Sequence, residues 1–153
     1  MANTYTQIYI QTVFAVQYRE AALREDFRQK VFGYIGELIN DNGHKTLIVN
    51  GVYDHVHCLI GLKPNQSLSD LMKDVKSRSS KWINQQKFSN HRFEWQEGYG
   101  AFSYGRSQMD SVYKYIQNQE QHHGNRSFRE EYLQFLDIFE IPFDERYIFK
   151  DMI

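Results

Sequence analysis

The spacing of apolar residues predicts a strand followed by a helix at the start of the chain. In residues 4–17, apolar side chains occupy alternate positions and polar ones such as Gln7 and Gln11 fall between them, as in a strand with one buried face. From 23 to 41, apolar residues recur every three or four positions, which is typical of an amphipathic helix. Asn42-Gly43 then supplies the signal for the end of that helix.

Two strand-like runs, 46–52 and 55–62, follow and predict a β pair. Asn50-Gly51 is a typical hairpin dipeptide, and Tyr53-Asp54 is a second turn candidate. Both positions stay open. We favour the later one because it leaves both strands long enough.

A second helix and another strand complete a six-element unit. Ser67-Leu-Ser-Asp70 has the pattern of a helix N-cap, and apolar residues follow it at helical spacing as far as Ile83. Residues 93–104 are aromatic and contain Gly98 and Gly100, which predicts a strand that another group can approach closely. The order β-α-β-β-α-β predicts an α+β fold with a ferredoxin-like antiparallel sheet.

Two additional helices are predicted after this unit. Ser107-Gln-Met-Asp110 has a capping pattern for a helix that runs to about His122, and Ser127-Phe-Arg-Glu130 has one for a helix that ends before Pro142. No repeat, linker-like region or low-complexity segment interrupts the sequence. We therefore expect one domain over residues 1–153.

The composition and the lengths of the apolar runs indicate which class of protein this chain belongs to. A hydrophobic content of 41% in 153 residues is enough to build a core, and no apolar run approaches the length that spans a bilayer. Cys58 has no second cysteine to pair with. These features predict a soluble protein of a reducing cytoplasm, with no membrane contact.

Charge is unevenly distributed along the chain. The net charge of −1 argues mildly against nucleic-acid binding, but residues 63–92 hold seven basic and two acidic side chains. Residues 130–153 hold two basic and seven acidic ones. A local basic surface can attract a polyanion, and a solvated helix face explains the same charges equally well.

His55 and His57 interrupt the apolar run GVYDHVHCLIGL at 51–62. Side chains alternate along a strand, so both imidazoles point to the same face and can share one ion. Two histidines alone leave a metal ion short of ligands. A satisfied core or surface pair is therefore the simpler interpretation, unless a third ligand lies nearby.

The helix after Ser107 offers candidates for that ligand. Tyr115 and Gln119 are four residues apart and lie on one helix face, but Tyr113 and Gln117 have the same spacing. The apolar positions of this helix lie closer to Gln119 than to Gln117. This favours the first pair, although periodicity alone leaves both possible.

With these residues in view, the chain resembles the single-tyrosine transposases of small bacterial insertion sequences, the insertion-sequence two-hundred-like group within the histidine-hydrophobic-histidine nuclease superfamily. Four stretches carry the resemblance, in the family's order and at its approximate separations: VFAVQYRE (13–20), GVYDHVHCLI (51–60), WQEGYGAFSYGRS (95–107) and YIQNQ (115–119).

The resemblance implies a bacterial, DNA-associated enzyme that cleaves and rejoins single-stranded DNA with hairpin ends through a 5′-phosphotyrosine bond. It makes Tyr115 the nucleophile and His55, His57 and Gln119 the ligands of Mg²⁺ or Mn²⁺. Such a neutral ligand set is unusual for a hard ion, which normally prefers carboxylates. The resemblance also implies a homodimer and no nucleotide cofactor.

The sequence also contains candidates for DNA contacts outside the reacting site. Phosphate contacts to a hairpin stem are expected from Lys73, Lys76, Arg78 and Lys81, and bases can stack on aromatics such as Tyr99 or Tyr104. His122 and His123 are more plausible as surface or DNA-contacting residues than as the base that activates Tyr115. The competing hypothesis is a non-catalytic, domesticated relative that binds DNA hairpins, and a replication-initiation or relaxase-type nuclease fits less well.

Overall fold

The strands form one four-stranded antiparallel sheet in the order β2-β3-β1-β4. The computed structural model describes residues 3–153, apart from the side chain of His123. The strands are β1 (Tyr9–Ala15), β2 (Lys45–Gly51), β3 (His55–Gly61) and β4 (Gly100–Tyr104). With one helix between β1 and β2 and another between β3 and β4, this is the ferredoxin-like α+β arrangement that the order of elements predicted.

Helices α1 (Arg28–Asp41) and α2 (Leu68–Gln86) cover one face of the sheet. Phe14 of β1 points to this face and packs edge-on against Trp95 at a ring-centroid distance of 4.7 Å. The Trp95 indole N–H donates a hydrogen bond of 3.0 Å to Ser79 Oγ of α2. On α1, the carbonyl of Gly36 accepts a hydrogen bond of 2.8 Å from the Thr46 hydroxyl of β2.

Three C-terminal helices lie on the other face: α3 (Met109–Gln117), α4 (Gln119–Asn125) and α5 (Phe128–Ile138). Leu59 of β3 packs with Val112 and other apolar residues of α3. Phe102 of β4 stacks on Phe135 of α5 at 5.1 Å. A Cβ atom at Gly100 would come within 2.6 Å of the Tyr132 ring of α5. This glycine therefore allows the close approach predicted for the strand, and the approaching group is a side chain of α5.

The hairpin and the helix caps follow the sequence signals closely. The turn between β2 and β3 falls at Tyr53-Asp54, the favoured position. Ser67 Oγ accepts the Asp70 amide N–H at 3.1 Å to cap α2, and Ser127 Oγ accepts the Glu130 amide N–H at 3.2 Å to cap α5. Gly43 ends α1 with a φ of +92°, a conformation that favours glycine.

Several predicted boundaries are wrong. The first strand, predicted over 4–17, covers only Tyr9–Ala15. The first helix starts at Arg28, because Leu23 is buried in the preceding loop, where its N–H donates to the carbonyl of Tyr53. The last strand pairs with β1 only over Gly100–Tyr104, and Trp95 makes an isolated bridge to Val16.

The predicted Ser107 cap is also wrong. A 3₁₀ turn (Arg106–Gln108) precedes α3, and Gln108 Oε1 accepts the Gly105 N–H at 2.9 Å. The helix predicted to run to about His122 breaks at Asn118, whose φ and ψ are −99° and 28°. The break falls between the two predicted site residues Tyr115 and Gln119.

No helix in the described part of the chain is long and apolar enough to span a membrane.

Candidate active site

The two histidines of β3 point from the centre of the sheet toward α3 and α5. In the register with β1, His55 lies opposite Ala15 and His57 opposite Val13. The side chains of these residues share the face that carries Leu59, which α3 covers. Both imidazoles are completely buried. Strand alternation therefore places them together as predicted, and burial under the C-terminal helices requires that each ring nitrogen find a partner.

Each imidazole is anchored through Nδ1. His55 Nδ1 lies 2.8 Å from Asp54 Oδ1, and His57 Nδ1 lies 2.6 Å from Gln11 Oε1. Gln11 Nε2 donates to the Tyr104 hydroxyl at 2.7 Å, which leaves its Oε1 as the acceptor for His57. Both rings therefore donate through Nδ1 and turn Nε2 toward the interior of the site. This is the usual arrangement of metal-binding histidines, whose other nitrogen donates to a carboxylate or carbonyl.

Oxygen atoms from two further elements converge on these Nε2 atoms. His55 Nε2 lies 2.9 Å from Gln119 Oε1 and 3.2 Å from Glu131 Oε1. His57 Nε2 lies 3.3 Å from the same Glu131 oxygen. A neutral imidazole that carries its proton on Nδ1 presents a lone pair at Nε2. With both imidazoles neutral, four electron-pair donors would face one another, so the site favours a proton or a metal ion at its centre.

The pKa values of His55 and Glu131 also indicate that the site stabilises a positive charge. Burial disfavours the His55 imidazolium, but the hydrogen bonds to Asp54 and Glu131 outweigh it and raise the pKa of His55 to about 9. Burial lowers the pKa of His57. Burial alone would raise the pKa of Glu131, but hydrogen bonds with His55 and His57 hold it well below its usual range. The site therefore holds an ionised carboxylate beside a proton that a metal ion can replace.

The donor set fits a divalent ion. His55, His57 and Glu131 each offer one ligand atom, and these three atoms lie within 4.8 Å of one another. Gln119 Oε1 adds a fourth ligand atom at hydrogen-bond distance. Mg²⁺ and Mn²⁺ favour carboxylate and carbonyl oxygens, and imidazole nitrogen is also a common ligand of transition metals. Glu131 supplies the negative charge that the predicted His/His/Gln set lacked.

Tyr115 lies at the edge of this cluster. Its hydroxyl donates to Glu131 Oε2 and accepts a hydrogen bond from Arg126 Nη2. Gln119 Nε2 donates to the same Glu131 oxygen at 3.2 Å. The His122 ring stacks on the Tyr115 ring at 4.3 Å. Burial and the hydrogen bond to Glu131 together raise the pKa of Tyr115 above its ordinary value.

The structure distinguishes the two candidate pairs, of which Tyr113, Tyr115 and Gln117 lie on α3 and Gln119 is the first residue of α4. Tyr115 and Gln119 reach Glu131, whereas Tyr113 and Gln117 are exposed. One chain brings together the four site residues named from the sequence: His55, His57, Tyr115 and Gln119. The predicted contact residue His123 has a side chain that lies outside the described part of the structure.

Sequence reasoning did not assign Glu131 or Arg126. A signal for Glu131 is present, because Phe128, Glu131, Tyr132 and Phe135 follow the spacing of one helix face. The carboxylate therefore occupies a position in an otherwise apolar stripe, and it is 3% exposed. An acid in that position requires a buried partner.

The four predicted DNA-phosphate contacts lie on α2, on the side of the sheet opposite the histidines. Lys73, Arg78 and Lys81 are exposed, and Arg78 forms an ion pair of 3.2 Å with Asp74. Lys76 instead donates to the carbonyls of Gln96 and Gly98, and burial lowers its pKa to about 8. The hydrogen bonds of Lys76 therefore hold the loop before β4 against α2. Phosphate binding by these four residues stays a prediction.

Comparison with known proteins identifies the family. The protein-family model described as "Transposase IS200 like" matches residues 4–119. The chain belongs to the IS200-like transposase family. This family of DNA transposases implies a DNA-cleaving enzyme, and the matched region contains His55, His57, Tyr115 and Gln119. Arg126 and Glu131 lie beyond it.

Curated relatives and solved structures are similar to this IS200-like transposase. The transposases of insertion sequence IS200 from Salmonella typhimurium and Salmonella typhi are both 27% identical over 125 residues, which cover 78% of this chain and 81% of theirs. A putative transposase from Deinococcus radiodurans superposes with a TM-score of 0.60 at 19% identity, covering 78% of this chain and 95% of that one.

A second structure, of a REP-associated tyrosine transposase bound to a REP hairpin, also superposes with a TM-score of 0.60. Its identity is 14%, over 81% of this chain and 73% of that one. At these identities the two structures establish the shared fold.

Proposed function

We propose that this transposase cleaves and rejoins single-stranded DNA at transposon ends, with Tyr115 as the nucleophile and a 5′-phosphotyrosine intermediate. The observation that carries the proposal is the position of the Tyr115 hydroxyl, which is hydrogen-bonded to the carboxylate that also contacts His55 and His57. A nucleophile next to a set of metal ligands is the arrangement that metal-assisted attack on a phosphodiester requires.

The proposal includes a divalent ion held by His55, His57, Gln119 and Glu131. When bound, Mg²⁺ or Mn²⁺ would withdraw charge from the scissile phosphate and orient it for in-line attack. Asp54 and Gln11 hold the two imidazoles in the tautomer that leaves Nε2 available to such an ion. The ligands come from β3, α4 and α5, so docking of the C-terminal helices on the sheet completes the set.

The chemical step follows from the hydrogen bonds of Tyr115. Its hydroxyl proton points at Glu131 Oε2, which leaves an Oη lone pair for the phosphorus. The bond from Oη to phosphorus forms as the bond from phosphorus to the 3′ oxygen breaks, and the phenol proton passes to its hydrogen-bond acceptor, Glu131 Oε2. The 3′ oxygen leaves with the electron pair of the broken bond and takes up one proton to become a 3′-hydroxyl. The phosphotyrosine conserves the energy of the broken linkage, so a second strand end can attack it without a nucleotide cofactor.

Arg126 acts on the return step in this proposal. Its guanidinium donates a hydrogen bond to Tyr115 Oη and stands over the Tyr115 ring at 6.0 Å. When the phosphotyrosine bond breaks, Oη leaves with a negative charge. A hydrogen-bond donor already aimed at this oxygen stabilises the charge without reorganisation.

DNA hairpins and a second copy of the chain are the proposed partners. The relative solved with a REP hairpin supports hairpin binding, and the exposed basic residues of α2 supply candidate phosphate contacts. The side chains of His55, His57, Tyr115, Gln119 and Glu131 contact one another within one chain, so the proposed homodimer is not needed to assemble this arrangement. Light scattering at several protein concentrations would establish the oligomeric state.

Covalent trapping tests the proposal directly. We expect single-stranded oligonucleotides from the DNA that flanks the gene to form a protein–DNA adduct in Mg²⁺ or Mn²⁺, detected on denaturing gels. Loss of the adduct in EDTA would support metal dependence. Hairpin binding without an adduct from any flanking strand would overturn the enzymatic proposal and favour the non-catalytic hairpin-binding relative.

Replacing Glu131 by Gln is expected to weaken Mn²⁺ binding at least about tenfold, because the change removes the one carboxylate in the ligand set while keeping its shape. Mn²⁺ affinity can be measured without DNA by electron paramagnetic resonance or calorimetry. The matched control is Glu130→Gln, which makes the same charge change at the adjacent, exposed position. Equal Mn²⁺ affinity in Glu131→Gln and wild type would remove Glu131 from the ligand set.

A further inference from the structure

A cavity of about 320 Å³ opens beside the nucleophile. It lies between α3 and α5 at the β1/β4 side of the sheet, and Tyr115, Arg126 and Glu131 form one end of it. The remaining wall includes Tyr104, Phe135 and Phe139. The cavity continues directly from the reacting hydroxyl into an aromatic compartment.

We propose that this cavity binds the unpaired base of a nucleotide adjacent to the scissile phosphate. The inference rests on the proposed function and specifies where one part of its substrate lies. Attack by Tyr115 Oη requires the phosphorus within about 3 to 3.5 Å of that oxygen. A nucleotide joined to this phosphate must then lie next to Tyr115, where the cavity provides room for it.

The surroundings of Tyr115 direct the base toward this cavity. The His122 ring stacks on the Tyr115 ring at 4.3 Å, and His57 lies behind it in the completely buried part of the site. Arg126, whose side chain is 26% exposed, holds its guanidinium at the hydroxyl. This places a cation where the phosphate arrives and leaves the base to extend along the cavity.

The lining of the cavity matches a nucleobase. Phe139 meets Tyr104 edge-on at 5.6 Å, and Phe135 meets Tyr115 edge-on at 5.9 Å, so aromatic rings form its walls. Gln108, Ser111 and Gln134 add amide and hydroxyl groups along the same lining. Flipped or single-stranded bases are bound by this combination of apolar stacking surfaces and a few hydrogen-bonding groups.

The size of the cavity favours an unpaired base over a base pair. The volume lies at the lower end of the range for small-ligand pockets, which is about 300 to 1,000 Å³. Apart from Arg126 and Glu131, the residues that line it are uncharged. The cavity therefore suits an uncharged ring whose phosphate stays at the Arg126 end.

An abasic scan tests the proposal. A single-stranded oligonucleotide from the flanking DNA receives one abasic residue, moved a nucleotide at a time, and its affinity is measured in EDTA so that no cleavage occurs. We expect one position to weaken binding about tenfold, the size of effect seen when a stacked base loses its partner. In Mg²⁺, that position should map next to the phosphate that joins Tyr115.

Filling the cavity should have the same effect as removing the base. Ser111→Trp is expected to weaken binding of the intact oligonucleotide about tenfold and to abolish the further effect of the abasic residue. Gln134→Trp fills the cavity from α5 and is the alternative variant for this test if Ser111→Trp fails to fold. Gln117→Trp, exposed on the same helix as Ser111 and outside the cavity, should behave like wild type.

The outcomes distinguish a failure of the base-binding proposal from a failure of the proposed enzymatic function. Adduct formation with no abasic position that weakens binding would overturn the base-binding cavity while leaving the proposed nucleophile intact. A full abasic effect that persists in both tryptophan variants would also overturn it, since the base would then lie elsewhere. Absence of any adduct would reject the proposed function instead, and the binding scan in EDTA would still decide the occupancy of the cavity.

Discussion

Tyr115→Phe is expected to abolish the covalent adduct and all strand joining, because the substitution removes the only atom of that side chain that can bond to phosphorus. The ring should stay in place, since its contacts with His122 and Phe135 do not involve the hydroxyl. The variant loses the hydrogen bonds to Glu131 and Arg126. We expect a change in unfolding free energy of about 1 to 3 kcal/mol, too small to unfold the protein.

Tyr113→Phe is the matched control. Tyr113 is 40% exposed on the same helix and has the same helical spacing to Gln117 as Tyr115 has to Gln119. Its adduct yield on denaturing gels should equal that of wild type. An adduct that survives Tyr115→Phe and disappears in Tyr113→Phe would reverse the assignment. Circular dichroism on both variants would show that the fold is retained.

The sheet and its helices were predictable from local patterns. Strand alternation placed His55 and His57 on one face, and the structure buries both on that face. Ser67 and Ser127 cap their helices through the N–H groups that the sequence pattern indicated. Each of these signals acts over a few residues, so long-range packing does not alter it.

Some errors arise where long-range packing overrides a local signal. Leu23 has helical spacing to the residues after it, but a hydrogen bond to Tyr53 holds it in a loop. On α2, Lys76 donates to the carbonyls of Gln96 and Gly98, a long-range contact that the local pattern does not indicate, and its predicted phosphate binding stays a prediction. The Ser107 error has a local cause, because Gln108 provides the capping contact to Gly105, three residues away, instead of Ser107.

The composition of the site depends on packing between distant segments. Glu131 and His57 are 74 positions apart, and their contact depends on how α5 docks on the sheet. Resemblance to the family named His55, His57, Gln119 and Tyr115, all within the matched region. Glu131 lies outside that region and was not assigned from the sequence, although its place in the apolar stripe of α5 is a signal for a buried acid. The contact of this carboxylate with the two histidines therefore depends on how α5 docks on the sheet.

His57→Ala should reduce the rate of DNA cleavage by at least about 1,000-fold, because loss of a metal ligand removes several kcal/mol of charge stabilisation from the transition state. Mn²⁺ binding without DNA should weaken in parallel. The substitution leaves Gln11 and Glu131 without one buried partner each, so the melting temperature should also fall. Initial rates of adduct formation and Mn²⁺ titrations measure the two effects independently.

His44→Ala separates loss of a ligand from loss of stability. His44 is also buried and bonds to Gln66 and to the Lys63 N–H, but it lies outside the candidate active site. Its replacement should lower the melting temperature while leaving Mn²⁺ affinity and adduct formation near wild type. If His57→Ala cleaves DNA at the wild-type rate, the metal role of the pair fails. If both histidine variants lose activity in proportion to their loss of stability, His57 acts as a core residue, the simpler interpretation of an imidazole in an apolar strand.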